Sequence, residues 1–312
     1  MKNLIKIFAF VYLTFGLVSC DNDSENNNEP TSGEPNNSEV LTSITINSTW
    51  VAYVETINLD NDKITDIQYN DGSYHLYTYS GDKVSQITEY DANDNILYTK
   101  SYSYDSNGRL TYRINTPNPD LTPFDYYVSH EYTYDTDLII VEYKIFDFDD
   151  VQSGDTQVSH LELNQNNIVK SYYPAFLANG SRDEATYGNN GPLTLNSYFS
   201  GDLLVISNFE YVNEIAADAY SIGRFKFGNQ WRINTLLSKD SSTLGTENLD
   251  DVSLNYLSSL SYSYNNESQS TSYVTNFSYE FNGDNLLLSQ TQTKNSSDNS
   301  LAYITIITYE YE

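Results

Sequence analysis

Tyr102-Ser103-Tyr104-Asp105-Ser106-Asn107-Gly108-Arg109-Leu110 sets two aromatic residues at i and i+2, then a short polar loop, then an aliphatic residue. Residues i and i+2 of a strand share one face, so the two rings stand side by side on it. Asp, Asn and Gly tolerate the positive φ of the tight primed turns that join hairpin strands, and Asn107-Gly108 and Asn282-Gly283 both read as such turns. The stretch therefore predicts a strand end, a tight turn and the start of the next strand.

Degenerate copies follow along the chain: Ile57-x-Leu59 with Ile64, Tyr77-x-Tyr79 with Val84, Tyr132-x-Tyr134 with Leu138, and Leu161-x-Leu163 with Ile168. Tyr187 with Leu193, Phe199 with Leu203, Phe225-x-Phe227 with Gly228, Tyr279-x-Phe281 with Leu286 and a closing Tyr309-x-Tyr311 continue the series. A spacing of roughly 20 to 30 residues fits strand, turn, strand and variable loop in each unit. The chain carries 30 Tyr and 13 Phe, with frequent Thr, Ile, Val and Ser and hardly any helical periodicity. The expected fold over residues 41–312 is all-β: an antiparallel meander of repeated hairpins, curled or closed into a barrel-like sheet. Pro117, Pro119 and Pro123 mark a loop that interrupts the repeat, and Glu214 to Tyr220 reads as a short helical insertion. Such departures from a repeat are where a site belongs.

The N-terminus reads differently. Lys2 and Lys6 precede an apolar run, Leu4 to Val18, that is short for a spanning helix and ends in Leu17-Val18-Ser19-Cys20. A small residue before a cysteine at this place is the pattern of a bacterial lipoprotein signal. Residues 1–19 are therefore expected to be removed, and Cys20 to be the lipidation site. Acyl chains on Cys20, each buried methylene worth about 0.8 kcal/mol, hold a domain on a membrane without a spanning helix. Residues 20–40 then form a polar tether, because Asp21 to Glu39 contains no large apolar residue. Its acidic start, Asp21, Asp23 and Glu25, resembles the signal that sends lipoproteins of Bacteroidetes to the cell surface. Cys20 is the single cysteine, so the chain has neither a disulfide nor a thiolate for chemistry.

Where the rings and turn residues recur, Tyr104-Asp105 to Leu110 above all, the chain resembles the tyrosine-aspartate (YD) repeats of Rhs-type bacterial surface and toxin proteins. With the signal, the tether and the degenerate hairpins, residues 41–312 look more like uncharacterised Bacteroidetes lipoproteins grouped as a domain-of-unknown-function family with a porin-like β fold. That resemblance implies an architecture and no reaction, so no catalytic residue is carried over. An integral outer-membrane barrel is the rival. Thr65-Asp66-Ile67-Gln68-Tyr69 and Ser261-Tyr262-Ser263-Tyr264 put polar or phenolic groups on both faces, leaving no lipid-facing apolar band in the sequence.

A formal charge of −28 disfavours nucleic acid and anionic membrane surfaces as partners. Asp147, Asp149 and Asp150, or Asp91 with Asn93 and Asn95, invite calcium, but neither group has the Gly and distal Glu of an EF-hand loop, and acidic hairpin turns explain them better. His75, His130 and His160 read as strand-face positions, the first two in one repeat phase. No G-x-S-x-G, H-E-x-x-H or phosphate-cradling loop occurs. No catalytic residue, metal or cofactor is expected. Rings on a rigid sheet stack on sugars, and Trp50, Trp231, Tyr77, Tyr79, Tyr102 and Tyr104 are the candidates, against the alternative that they build the core. The expected role is a lipid-anchored outer-membrane protein, at the cell surface or on the periplasmic side, binding glycan or protein without enzymatic activity. An envelope scaffold without a small ligand, and a hydrolase using loop carboxylates, are the alternatives.

Overall fold

The computed structural model describes residues 39–49, 53–122, 126–147, 151–163, 169–173, 180–188, 192–216, 222–227, 231–238, 255–265, 270–296 and 303–312. All belong to one compact unit, Asn37–Glu312. Its strands are β1 (Leu41–Ser48), β2 (Tyr53–Asp60), β3 (Lys63–Tyr69), β4 (Tyr74–Ser80), β5 (Lys83–Tyr90), β6 (Ile96–Tyr104), β7 (Leu110–Pro117), β8 (Tyr127–Tyr134) and β9 (Leu138–Phe146). They continue with β10 (Gln157–Leu163), β11 (Val169–Tyr173), β12 (Arg182–Tyr187), β13 (Pro192–Phe199) and β14 (Asp202–Ala216). Two short helices, α1 (Ile222–Phe227) and α2 (Trp231–Ser238), precede β15 (Asn255–Asn265), β16 (Ser270–Phe281), β17 (Leu287–Ser296) and β18 (Tyr303–Tyr311).

Each strand pairs antiparallel with its successor, and β1 pairs with both β2 and β18. The β1–β18 ladder runs from Leu41↔Tyr311 to Ser48↔Thr305. The expected meander is thus present, and its first and last strands join, so no strand is left as an unpaired edge among the described residues.

The repeat explains how each hairpin is built. Asp105 Oδ1 accepts the N–H groups of Asn107 and Arg109, both at 2.9 Å, while Gly108 takes φ 77°. In the copy at 282–286, Asn282 does the work of Asp105, accepting from Asp284 and Leu286, and Asn285 at φ 63° does the work of Gly108. The Asn-Gly reading is corrected accordingly: Asn107 and Gly283 are not left-handed. Two-residue turns with both φ positive occur instead at Asn61-Asp62 and Ser200-Gly201.

The tyrosines have a second task. Tyr104 donates its hydroxyl to the Val84 carbonyl at 2.6 Å, Tyr134 to Leu110 at 2.8 Å and Tyr311 to Leu287 at 2.7 Å. Tyr279 does the same to Leu257 at 2.8 Å. Each ring thereby locks its hairpin to the aliphatic residue that opens the preceding one, a bond worth about 1 kcal/mol net and unavailable to phenylalanine. Burial first of all holds the hydroxyls of Tyr79, Tyr104 and Tyr134 in their protonated, donating form.

A bulge next to the turn sets the faces. The pairings Leu59↔Ile64 and Asn58↔Asp66 skip one residue, as do Tyr79↔Val84 with Thr78↔Gln86 and Tyr104↔Leu110 with Ser103↔Tyr112. Ile64 and Ile67, Val84 and Ile87, Leu110 and Arg113 therefore face the same way at a spacing of three. The Thr65 to Tyr69 stretch does set a phenolic group on one face and polar groups on the other, as the sequence suggests. Ile67 and Tyr69 face inward, and Asp66 and Gln68 face outward.

The inward face carries both helices. Phe227 and Leu237 pack in one cluster with Val84, Leu110, Ile139, Leu195 and Leu257, and Phe225 packs in a second with Ile44, Ile57, Ile64 and Leu287. The two helices therefore fill the lumen at the repeat-turn end. Two expectations are revised. Phe225-x-Phe227 is helix, not a strand pair, and Glu214 to Ala216 belongs to β14, while the rest of the expected insertion, Ala217 to Tyr220, lies outside the described residues. Phe199 and Leu203 flank the turn that joins β13 to β14, at the other rim, and are exposed.

The outward face is polar and hydrogen-bonded across strands. Asn58 donates to Asp66 at 2.7 Å, Asn208 to Ser261 at 3.3 Å, Ser259 to Glu210 at 2.8 Å and Ser289 to Glu280 at 3.0 Å. The Thr186 and Thr194 hydroxyls meet at 2.7 Å, and Lys144 bridges Glu131 and Glu142. Ser259, Ser261 and Ser263 alternate with the inward Leu260, Tyr262 and Tyr264. Aliphatic residues such as Leu76, Val274, Ile304 and Ile306 are scattered among these groups.

Candidate functional site

Above the plug the inward side chains become polar. Arg113, 5% exposed, donates from Nε to the Tyr132 hydroxyl at 2.9 Å and from Nη1 to the Ser238 carbonyl at 3.3 Å. That places a cation at the C-terminal end of α2, where helix carbonyls favour one. The Tyr132 hydroxyl donates to the Leu237 carbonyl at 2.6 Å. Arg113 Nη2 lies 3.1 Å from His130 Nε2, and the His130 ring meets Tyr143 edge-on at 4.9 Å.

A second group stands beside it. Lys100 Nζ lies 2.9 Å from Glu89 Oε1, and His75 Nε2 lies 3.9 Å from Glu89 Oε2 while its Nδ1 is 3.1 Å from the Tyr69 hydroxyl. Burial lowers the His75 pKa, with Lys100 and Lys226 adding to the effect against the opposing pull of Glu89. The imidazole is therefore held neutral.

Above this layer a cavity of roughly 450 Å³ opens to solvent, lined by Glu89, Tyr98, Lys100, Asn115, Tyr126, Val128, Tyr143 and Ile145. Its walls come from β5 to β9, where strand alternation turns these side chains inward. Tyr126, 53% exposed, stands at its rim beside the proline-marked loop. The Asn115 Oδ1 is buried and meets no donor among the described residues.

No family model matches the chain. No curated protein matches it either. Among solved structures it is similar to a porin-like protein from Bacteroides uniformis, at 12% identity over 87% of this chain and 96% of that one, with a TM-score of 0.42. It is also similar to a porin-like protein from Bacteroides vulgatus, at 14% identity over 87% and 98%, with a TM-score of 0.43.

The residues singled out in the sequence fall as follows. Cys20, Trp50, Pro123, Asp149 and Asp150 lie outside the described residues, and Trp231 opens α2 with its side chain outside them. Tyr77, Tyr79, Tyr102 and Tyr104 face inward and pack in or against the core that holds Phe227 and Leu237. His75 and His130 sit in the polar layer, and His160 faces outward on β10. Asp91 Oδ1 accepts the N–H groups of Asn93 and Asn95, and Asp147 Oδ1 that of Val151, so these carboxylates cap turns. Among the described residues no cluster of three His, Cys, Asp or Glu side chains forms a metal site.

Sequence reasoning passed over Tyr98, Lys100, Asn115 and Tyr143. The first two carry a readable signal, because Tyr98-x-Lys100 extends the parity of Tyr102-x-Tyr104 toward the other rim. Asn115 does not, since the bulge after Leu110 reverses the parity of β7.

Proposed function

We propose that the protein is a lipid-anchored cell-envelope protein, held through Cys20 and the tether of residues 20–40, whose water-facing barrel is a non-enzymatic binding module for glycan or protein. The polar cross-strand network on the outer wall carries this reading. Asn58–Asp66, Ser259–Glu210 and Ser289–Glu280 set carboxylates where an integral barrel sets lipid-facing aliphatic side chains. A wall of that kind favours water outside and leaves attachment to the lipid on Cys20. The plug favours binding over conduction, because Phe225, Phe227 and Leu237 occupy the lumen at one end. The remaining concavity supplies a site.

Treating intact cells with a non-penetrating protease tests the surface placement. Cleavage in the tether is expected to release the domain beyond Glu39 while a periplasmic marker stays intact. A domain protected in intact cells but released after lysis would overturn the surface reading and favour a scaffold on the periplasmic side.

A further inference from the structure

We propose that the open end of the lumen is a saccharide site that takes an uncharged mono- or disaccharide. This rests on the binding-module reading and names its ligand class. The cavity of roughly 450 Å³ falls within the range of small-molecule sites. Its charges cancel locally: Glu89 and Lys100 are paired at 2.9 Å, so the cavity selects neither anion nor cation although the whole chain carries −28. The Asn115 Oδ1 is a buried acceptor without a donor among the described residues, and such an atom costs about 1–3 kcal/mol until a donor arrives. A sugar hydroxyl is that donor.

Tyr98 and Tyr143 on the walls and Tyr126 at the rim offer apolar ring surface of the kind that covers the C–H face of a pyranose. An apolar peptide side chain would use the rings and leave the Asn115 acceptor unserved. A sugar engages rings and polar groups together. Among the described residues Arg113, Tyr132 and α2 close the floor. The ligand is therefore bound by its end and not threaded through the barrel.

The test uses the full lipidated protein extracted in a detergent without a sugar headgroup. Maltose, cellobiose and chitobiose are titrated by saturation-transfer NMR and calorimetry, with glucuronate and glucosamine as charged controls. At least one neutral disaccharide is expected to bind, the charged sugars at least about tenfold more weakly, a gap of about 1.4 kcal/mol. Asn115→Leu and Tyr143→Ala are each expected to weaken binding at least about tenfold, with the far-ultraviolet circular dichroism unchanged. No binding by any of the three disaccharides overturns the saccharide assignment. Binding that survives both substitutions overturns this site. Either failure leaves the surface placement to stand or fall on the protease experiment alone.

Discussion

Phe227→Ala is expected to lower the unfolding free energy by about 4 kcal/mol, the cost of emptying a fully buried aromatic site. Phe227 is 1% exposed, and its ring stands edge-on to Tyr102 at 6.2 Å. It shares a cluster with residues of β5 to β10 and of β12 to β15, so the hole it leaves cannot be closed by moving one wall. For a domain of this size the melting temperature should fall by roughly 10 °C. Phe199→Ala, at a ring 49% exposed, is the control and should change stability by no more than about 0.5 kcal/mol. Urea unfolding followed by circular dichroism measures both. Equal effects from the two substitutions would show that α1 does not fill the lumen.

Asn234→Leu is expected to cost about 3 kcal/mol, although leucine keeps the branched shape and heavy-atom count of asparagine. The Asn234 side chain is wholly buried on α2. Its Oδ1 accepts the Leu110 N–H at 2.8 Å and its Nδ2 donates to the Gly108 carbonyl at 2.9 Å. Leucine would leave one buried backbone donor and one acceptor unpaired at the turn that opens β7, each costing about 1–3 kcal/mol. The same urea experiment gives the loss of stability, and hydrogen exchange at the Leu110 amide gives its place. Faster exchange at Leu110 with no change at the Ile57 amide is the expected pattern. Unchanged stability would mean that the plug is not latched to the hairpin turn.

Both substitutions act on contacts that the sequence does not display. The turn at Asp105 to Leu110 was legible because its causes are local: two rings one strand period apart, a carboxylate able to cap the turn, and a glycine able to take positive φ. The all-β meander followed from repeating that unit. The partner of the turn was not legible, since Asn234 lies far along the chain and nothing near it marks it as a latch. Phe225-x-Phe227 mimics the strand pattern because aromatic spacing alone does not separate a strand from one turn of helix.

The bulge had a signal that strict alternation hid. Ile64 with Ile67 and Val84 with Ile87 place apolar residues three apart directly after a turn, which a bulged strand satisfies and a regular one does not. Reading it would have separated a polar outer wall from an apolar inner one. The candidate site was half legible: the loop at Pro117, Pro119 and Pro123 pointed to its rim, while Asn115 is placed by the bulge after Leu110, which sequence parity does not show.

The most direct measurement is made on residues 37–312 produced alone, in buffer free of detergent, and then mixed with phospholipid vesicles and floated on a density gradient. A water-facing barrel is expected to stay folded and monomeric, with a β-type circular dichroism spectrum, and to remain at the bottom of the gradient. A protein that stays in solution only with detergent, or rises with the vesicles in a protease-resistant form, would contradict the account and make the outer wall a membrane surface.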